Sequence, residues 1–561
     1  MRILVVQTTR MGDVLQTSPL LHMLREKDPD AHITIMVRGM GKTIAEHHPA
    51  VDEVIVYNED DLFLDMRSQD SDRLLKAYRR ADRCVQSLKE GGYDIAYNVT
   101  HSVASAMLMK LAEIPKVVGA HLSDDWQFVL RGPWATYFFT SVFSREYNDL
   151  NLCDISRNFV RGAPPCRRLV FELRDEERAF VDELLEQHGA GGDRFVACMQ
   201  LGASETGKRW SARRFAELAR LLKDRWNAQI FLLGVEEEAP LGEEFEQHAP
   251  GLATPLYGKT SIPQVAALLE RSRVLVTNDT GTMHIAAAVG CPIALVSVGH
   301  VHYRETGPYG EGHCAIEWRR ASLGRSDFVP GAAEEREAIR PEQVMRAIEL
   351  VLEGPPDDAA GLRQLEEESE LNTVDLYISR FAPDGFLQFY PVVRRPMTQR
   401  DYMRLAYRTM WLEHLGAAAN KRDEQESLRL MLRHYDGPAP ELVAQWRDES
   451  CAVFRELASL AQGGIKTTEK LLDTLRKQQI DRAKQLVTQL MRLDEDMRIF
   501  SELHPPCRPL ILIARFERDN LEGADPVRLA ETTRDIYRAC FSRARLVERK
   551  LDKVAELFAQ K

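Results

Sequence analysis

The chain has no apolar run long enough to span a bilayer, and its opening residues, Met1-Arg2-Ile3-Leu4-Val5-Val6-Gln7, hold too few apolar side chains for a secretory signal. A cytoplasmic protein is therefore expected, with work at a membrane surface left open. Nine cysteines are scattered from Cys84 to Cys540 without a C-x-x-C pair, which argues against a disulfide framework and against a thiolate metal centre. Positive charge is also in short supply. A formal net charge of −11 speaks against a general nucleic-acid binder. What is present is the composition of a globular protein, 44% apolar and 28% charged, in 561 residues, enough for three domains of ordinary size.

Up to about residue 170, short β-branched runs alternate with helical patterns. Ile3–Val6, Ile33–Val37, Val54–Tyr57, Ile95–Asn98 and Lys116–Gly119 read as strands, with helical periodicity over Val14–Leu24 and Arg73–Lys89. The rhythm restarts at Phe195–Met199 and runs through Ile230–Leu233, Val274–Thr277 and Ile293–Val296 to a closing helix near Pro341–Leu352. Two such units imply two Rossmann-like domains facing across a cleft, with ligands at the carboxyl ends of their strands. The expected partition is 1–172, 173–352, an acidic linker at 353–372, and 373–561. The last part opens with a β-hairpin around Ala382-Pro383-Asp384-Gly385 and continues almost wholly helical. Its apolar seams, Ala483 to Phe500 and Tyr537 to Phe558, suit either a bundle or an oligomer interface. On this division a chain ending near Leu352 is expected to fold and to keep its nucleotide site.

Four segments carry chemistry. Gln7-Thr8-Thr9-Arg10-Met11-Gly12-Asp13 follows the first strand, and Asp13 falls where a helix begins. From spacing alone a helix cap is the favoured reading, with a carboxylate base as the sharper alternative. Gln200 to Ser211 is a small-residue loop holding Ser204, Lys208 and Arg209; it lacks the spacing of a P-loop but suits an anionic leaving group. Glu236-Glu237-Glu238 follows a strand, where a carboxylate can accept from ribose hydroxyls or simply occupy a helix's first turn. Finally, Asn278-Asp279-Thr280-Gly281-Thr282-Met283-His284 is a strand–glycine–helix junction whose free N–H groups suit a diphosphate. Between Trp126 and Tyr147 eight aromatic residues cluster near Arg131 and Arg145, either as core or as a surface for sugars or a membrane.

In this order the motifs Met1 to Leu15, Gly202 to Trp210 and Thr277 to His284 resemble the glycosyltransferase family 9 heptosyltransferases, bacterial enzymes with a GT-B fold. The resemblance covers roughly the first 350 residues. It implies inverting, metal-independent transfer of a heptose from ADP-heptose, a nucleotide-sugar donor and not a resident cofactor, to a glycan or glycolipid acceptor such as lipopolysaccharide core. Asp13 then corresponds to the general base. Ser204, Lys208, Asp279 and the main chain from Thr280 through Gly281, Thr282 and Met283 to His284 belong to the donor site, and Glu236 or Glu237 to the adenosine ribose. Arg10, His101 and Arg131 are weaker candidates for acceptor contacts. The loop Ser297-Val298-Gly299-His300-Val301-His302 departs from the family pattern, which leaves another nucleotide sugar or a protein acceptor open. A non-catalytic glycan-binding or assembly module is the rival of a different class. Peripheral contact with the inner membrane surface and homo-oligomerisation through the C-terminal helices complete the expected partners.

Overall fold

A computed structural model describes residues 1–319, 332–356, 359–417, 420–436 and 439–560. The chain forms two compact units. One comprises Met1–Val6, Glu59–Leu150 and Pro396–Lys561; the other comprises Gln7–Asn58 and Asn151–Arg395.

The strands in chain order are β1 (Arg2–Gln7), β2 (His32–Val37), β3 (Glu53–Val56), β4 (Ile95–Asn98), β5 (Val117–Leu122), β6 (Phe128–Arg131), β7 (Val196–Gln200), β8 (Gln229–Leu233), β9 (Ala253–Pro255), β10 (Val274–Thr277), β11 (Ile293–Ser297), β12 (Cys314–Trp318), β13 (Val374–Phe381) and β14 (Leu387–Pro391). In the first unit β1 pairs in parallel with β4 and β4 with β5, while β6 turns back antiparallel on β5. In the second unit β2 and β3 are parallel neighbours. The same unit holds an eight-stranded sheet in the order β14-β13-β12-β11-β10-β7-β8-β9. From β12 to β9 every pairing in it is parallel. Val-Ala-Cys-Met-Gln, Val-Leu-Val-Thr and Ile-Ala-Leu-Val-Ser are buried at every position, as strands covered on both faces must be.

Strands β6, β9 and β12 were not legible in the sequence. Strand β6 lies inside the aromatic stretch, most of which is core. Trp134, Tyr137 and Phe138 are buried, and Phe516 packs against Phe139 and Phe143. Only Trp126 and Phe143 remain well exposed there.

The helical region is built into the first unit. Helix Gln399–His414 carries Arg404 and Arg408 to the buried carboxylate of Asp149, with Arg404 Nε 2.9 Å and Arg408 Nη1 3.6 Å from it. Asn520 exchanges two hydrogen bonds with the backbone of Leu130 in β6: the Leu130 N–H donates at 2.6 Å and the Asn520 amide donates back at 2.9 Å. The seam residues Tyr537, Cys540, Ala544, Val547, Leu551 and Val554 of helix Pro526–Ala559 are buried within this one chain. Gly464 of helix Pro440–Arg476 admits the Tyr537 ring where a Cβ would strike it. Of the second seam, Ala483, Leu486, Leu490, Met497 and Phe500 are buried on helix Ile480–Leu503 and Leu493 is partly exposed. Asp494 accepts the Tyr537 hydroxyl at 2.5 Å and pairs with Arg518, so it works as an interhelical anchor. No described helix is long and apolar enough to cross a membrane.

The hairpin strands β13 and β14 extend the second sheet. Strand β13 runs antiparallel to β12 with Ile316 opposite Leu376, and Val374, Leu376 and Ile378 share one core with Val276, Val296 and Trp210. Asp357 and Asp358 of the acidic stretch lie outside the described residues. Nearby, Leu365 and Leu371 are buried in that same core, and Arg346 pairs with Glu368 at 3.0 Å. This reverses the outcome expected for a chain ending at Leu352. Such a truncation strips β12 of its neighbour and opens the apolar core. It should show no cooperative thermal transition and should bind the dye ANS, whereas an intact, nucleotide-binding fragment would refute the assignment of β13 to this core.

Candidate active site

Strands β10, β7 and β8 lie side by side and parallel, so the loops at their carboxyl ends emerge along one edge of the sheet. Those loops are Leu201–Trp210, Gly234–Glu238 and Asn278–His284. Asn278 joins two of them. It is fully buried, accepts the Trp210 N–H at 2.9 Å through Oδ1, and donates to the Leu201 carbonyl at 2.8 Å through Nδ2. The Arg209 guanidinium donates back to the Ala203 carbonyl at 2.8 and 3.1 Å, which folds the loop upon itself. Lys208 is thereby held with Nζ 3.6 Å from Asp279 Oδ2, in a pair about four-fifths buried at both side chains. Ser204 is exposed near the crest of the loop.

After Thr280, which is extended, helix Gly281–Ala288 begins. The N–H groups of Gly281 and Thr282 have no acceptor within a helix that starts there. The Met283 N–H bonds to the Thr280 carbonyl at 3.2 Å. The Thr282 hydroxyl donates to Gln200 Oε1 at 3.2 Å, and Gln200 Nε2 donates to Glu238 Oε2 at 2.9 Å. Glu238 also accepts the Val235 N–H. It lies where a Cβ on Gly202 would stand, so that glycine makes room for its carboxylate. A chain of hydrogen bonds thus links the ends of all three strands. Gln200 and Glu238 were not singled out as partners from the sequence, because nothing in their spacing pairs residues on different strands.

The other two glutamates are exposed. Glu236 reaches over Gly258, a position with φ +65 where a Cβ would meet its carboxylate. Beside it opens a cavity of about 680 Å³ lined by Leu232, Glu236, Gly242, Glu243, Tyr257 and Lys259 among others. The Tyr257 hydroxyl is buried at this cavity without a hydrogen-bond partner among the described residues. Burial, and next the charge of Glu238, raise its pKa. Glu237 makes no comparable approach.

Asp13 belongs to the same unit as these loops. It is the third residue of helix Met11–Gln16, and its Oδ2 accepts the Arg10 N–H at 3.1 Å, the back-bond of a capping box. Gln7 braces the loop from below, donating to Thr17 Oγ1 at 3.1 Å and accepting from Thr9 Oγ1 at 2.6 Å. The start of this helix packs on the turn Asn278–His284. A Cβ at Gly12 would stand 2.9 Å from His284 Cδ2, and one at Gly281 would collide with Met11. The His284 ring is buried and its Nδ1 has no hydrogen-bond partner among the described residues. Burial lowers its pKa, against the smaller opposing effects of Asp279 and Asp13, so it is neutral near pH 7.

Of the remaining candidates, Arg10 is exposed. His101 stacks on Phe138 with centroids 4.1 Å apart, and Arg131 is held by the Glu522 carboxylate. The described residues contain no group of three or more histidine, cysteine or carboxylate side chains arranged for a metal ion.

Two α/β units, one with a cluster of loops at the carboxyl edge of its parallel sheet, have the architecture of a GT-B fold followed by a helical region. The crystal structure of the glycosyl transferase family 9 protein from Veillonella parvula DSM 2008 shares this fold, with a TM-score of 0.51 at 22% identity over 63% of this chain and 97% of that one. Residues 81–321 match the model of glycosyltransferase family 9 (heptosyltransferase). Lipopolysaccharide heptosyltransferase 2 of Escherichia coli K12 is 26% identical over 306 residues, 52% of this chain and 81% of its own length. Lipooligosaccharide heptosyltransferase 2 of Haemophilus influenzae is 25% identical over 311 residues, 52% of this chain and 82% of its own length. Over residues 81–321 the chain is similar to glycosyltransferase family 9 (heptosyltransferase), and its described C-terminal region is mainly helical.

The close fit at Gly12 gives a direct check. Gly12→Ala should destabilise the protein by about 1–3 kcal/mol, because the added methyl group would stand 2.9 Å from a buried imidazole that must shift to admit it. Urea unfolding measures this, and an unchanged midpoint would show that the contact is loose.

Proposed function

We propose that the chain transfers a heptose from ADP-heptose to a glycan acceptor such as lipopolysaccharide core, with inversion and without a catalytic metal. The observation that carries this reading is the packing of the Asp13 helix on the donor turn, which brings a carboxylate and the phosphate-type loops into one unit. The acceptor hydroxyl oxygen forms a bond to the anomeric carbon and its proton passes to Asp13. The bond from that carbon to the diphosphate oxygen breaks on the opposite side, and ADP leaves with the electron pair. Lys208 and the N–H groups opening helix Gly281–Ala288 take up the charge of the leaving group. Asp279 holds Lys208 in place and faces the donor sugar. Ser204 and the main chain from Thr280 to Met283 meet the phosphates, and His284 supports the turn from beneath.

For the ribose, the cavity favours Glu236 over Glu237, since its carboxylate borders a concave, largely apolar space with an unpaired tyrosine hydroxyl. Arg10 and His101 are assigned to the acceptor. Arg131, already paired with Glu522, is the weakest of that group. The assigned setting is the cytoplasm of a bacterium, in peripheral contact with the inner membrane. A second reading, with a different nucleotide sugar or a protein acceptor, draws on the unusual loop Ser297–His302. A non-catalytic module would bind nucleotide and transfer nothing.

Transfer from a panel of nucleotide sugars separates these readings. With the preferred donor, Asp13→Asn should lower turnover roughly a hundredfold or more while leaving ADP affinity nearly unchanged. A variant that turns over at the native rate would reduce Asp13 to a helix cap. Lys208→Ala should weaken ADP binding in calorimetric titration far more than adenosine binding. Activity should persist in a strong chelator, and its complete loss with recovery on adding a divalent ion would overturn the metal-free account.

A further inference from the structure

Helix Ile480–Leu503 belongs to the first unit. At about 100° per residue, its buried side chains Ala483, Leu486, Leu490, Met497 and Phe500 fall within one arc of about 100°. Asp494 fixes the rotation of the helix through Tyr537 and Arg518. The arc roughly opposite holds Ile480, Lys484, Thr488, Met491, Glu495 and Ile499, all exposed, Ile480 at 68% and Met491 at 67%. Val487 stands exposed at its margin. The apolar seams that the sequence offers to an oligomer are used inside the chain, so this outer face is a different surface. Its six positions are spaced 4, 4, 3, 4 and 4 residues apart, and that spacing is the same read from either end. The chemistry matches in the same sense. Turning the helix end over end about the midpoint between Gln489 and Leu490 sets Ile480 opposite Ile499, Lys484 opposite Glu495 and Thr488 opposite Met491. Lys484 has no ion pair among the described residues. Glu495 pairs with Arg498 of its own helix at 2.7 Å, an exposed contact that holds it weakly.

A twofold dimer brings one surface against itself, so it needs a patch that complements its own inverted copy. Neither a bilayer nor an unrelated protein requires that match. Two copies of this helix side by side in parallel would set lysine against lysine and glutamate against glutamate. Run antiparallel, they set Lys484 against Glu495 on both sides of the axis, and a charged layer within an apolar seam fixes register. We infer that helix Ile480–Leu503 pairs antiparallel with the same helix of a second copy of the chain. The isoleucines close the two ends of the contact, Met491 and Val487 fill its middle, and the two lysine–glutamate pairs align it. No part of this depends on the donor loops or on which sugar is transferred.

The test is sedimentation equilibrium of the full chain over a range of protein concentrations. A single helix pair is a small interface, so a reversible monomer–dimer equilibrium is expected at roughly micromolar concentration. Lys484→Glu and Glu495→Lys should each weaken it roughly tenfold or more, because like charges then meet twice across the axis. An equimolar mixture of these two variants should recover association to within about threefold of the native chain, since each supplies the charge the other lacks. Met491→Lys should weaken association in every pairing. All three positions are exposed, so each variant should keep the native thermal transition, which separates a lost dimer from a lost fold. A native chain that stays monomeric throughout would overturn the assignment. So would single-charge variants that associate as the native chain does, or a mixture of them that stays dissociated.

Discussion

The approach of Gly12 to the His284 ring is the contact on which the site depends. Two motifs far apart in the chain meet there with no room for a single extra methyl group. Because interiors are packed as densely as organic crystals, such a contact sets the position of both helices to a few tenths of an ångström. Burial of the imidazole lowers its pKa and so favours the neutral ring beneath the Asn278–His284 turn. Asp13 stands one residue beyond the contact. Its carboxylate closes the helix start by accepting the Arg10 N–H, as the capping reading of the sequence expects.

Around this contact the loops hold one another. Asn278 satisfies the backbone at both ends of the Leu201–Trp210 loop, and the run from Thr282 through Gln200 to Glu238 spans three strand ends. Each group in that run is at least half-buried, so removing one would leave its neighbour with an unmet hydrogen bond, which costs more than the bond itself contributes. These bonds fix the loops that carry Lys208 and Asp279, which pair at 3.6 Å.

The helical region has a structural task whatever else it does. Asp149 sits at the end of the first unit's α/β segment and is wholly buried, so without Arg404 and Arg408 it would be an uncompensated charge in an apolar setting. Asn520 adds a backbone-like pair to β6, and Phe516 covers the aromatic helix beside it. These contacts tie residues after 396 to residues before 150, and they explain why the aromatic stretch is mostly interior.

The alternation of apolar runs with helical periodicity was enough to read the α/β character up to Leu352, eleven of the strands in whole or part, and the helical end, since burial on two faces of a parallel sheet leaves a continuous apolar signature; the grouping of Gln7–Asn58 with Asn151–Arg395, and of Glu59–Leu150 with Pro396–Lys561, differs from the expected partition at 172 and 352. The turns and helix starts at Asp13, Lys208 and Asp279 were legible as local structure for a similar reason, since their residue types follow from a few neighbouring dihedrals. Tertiary structure alone decided that β13 belongs to the second sheet, that Glu238 binds Gln200 while Glu236 borders a cavity, and that Gly12 meets His284. Each of these joins residues on different elements, and periodicity within one element carries no record of which other element it will touch. That choice is made when the whole core packs, where volume, hydrogen-bond satisfaction and buried charge must be met together.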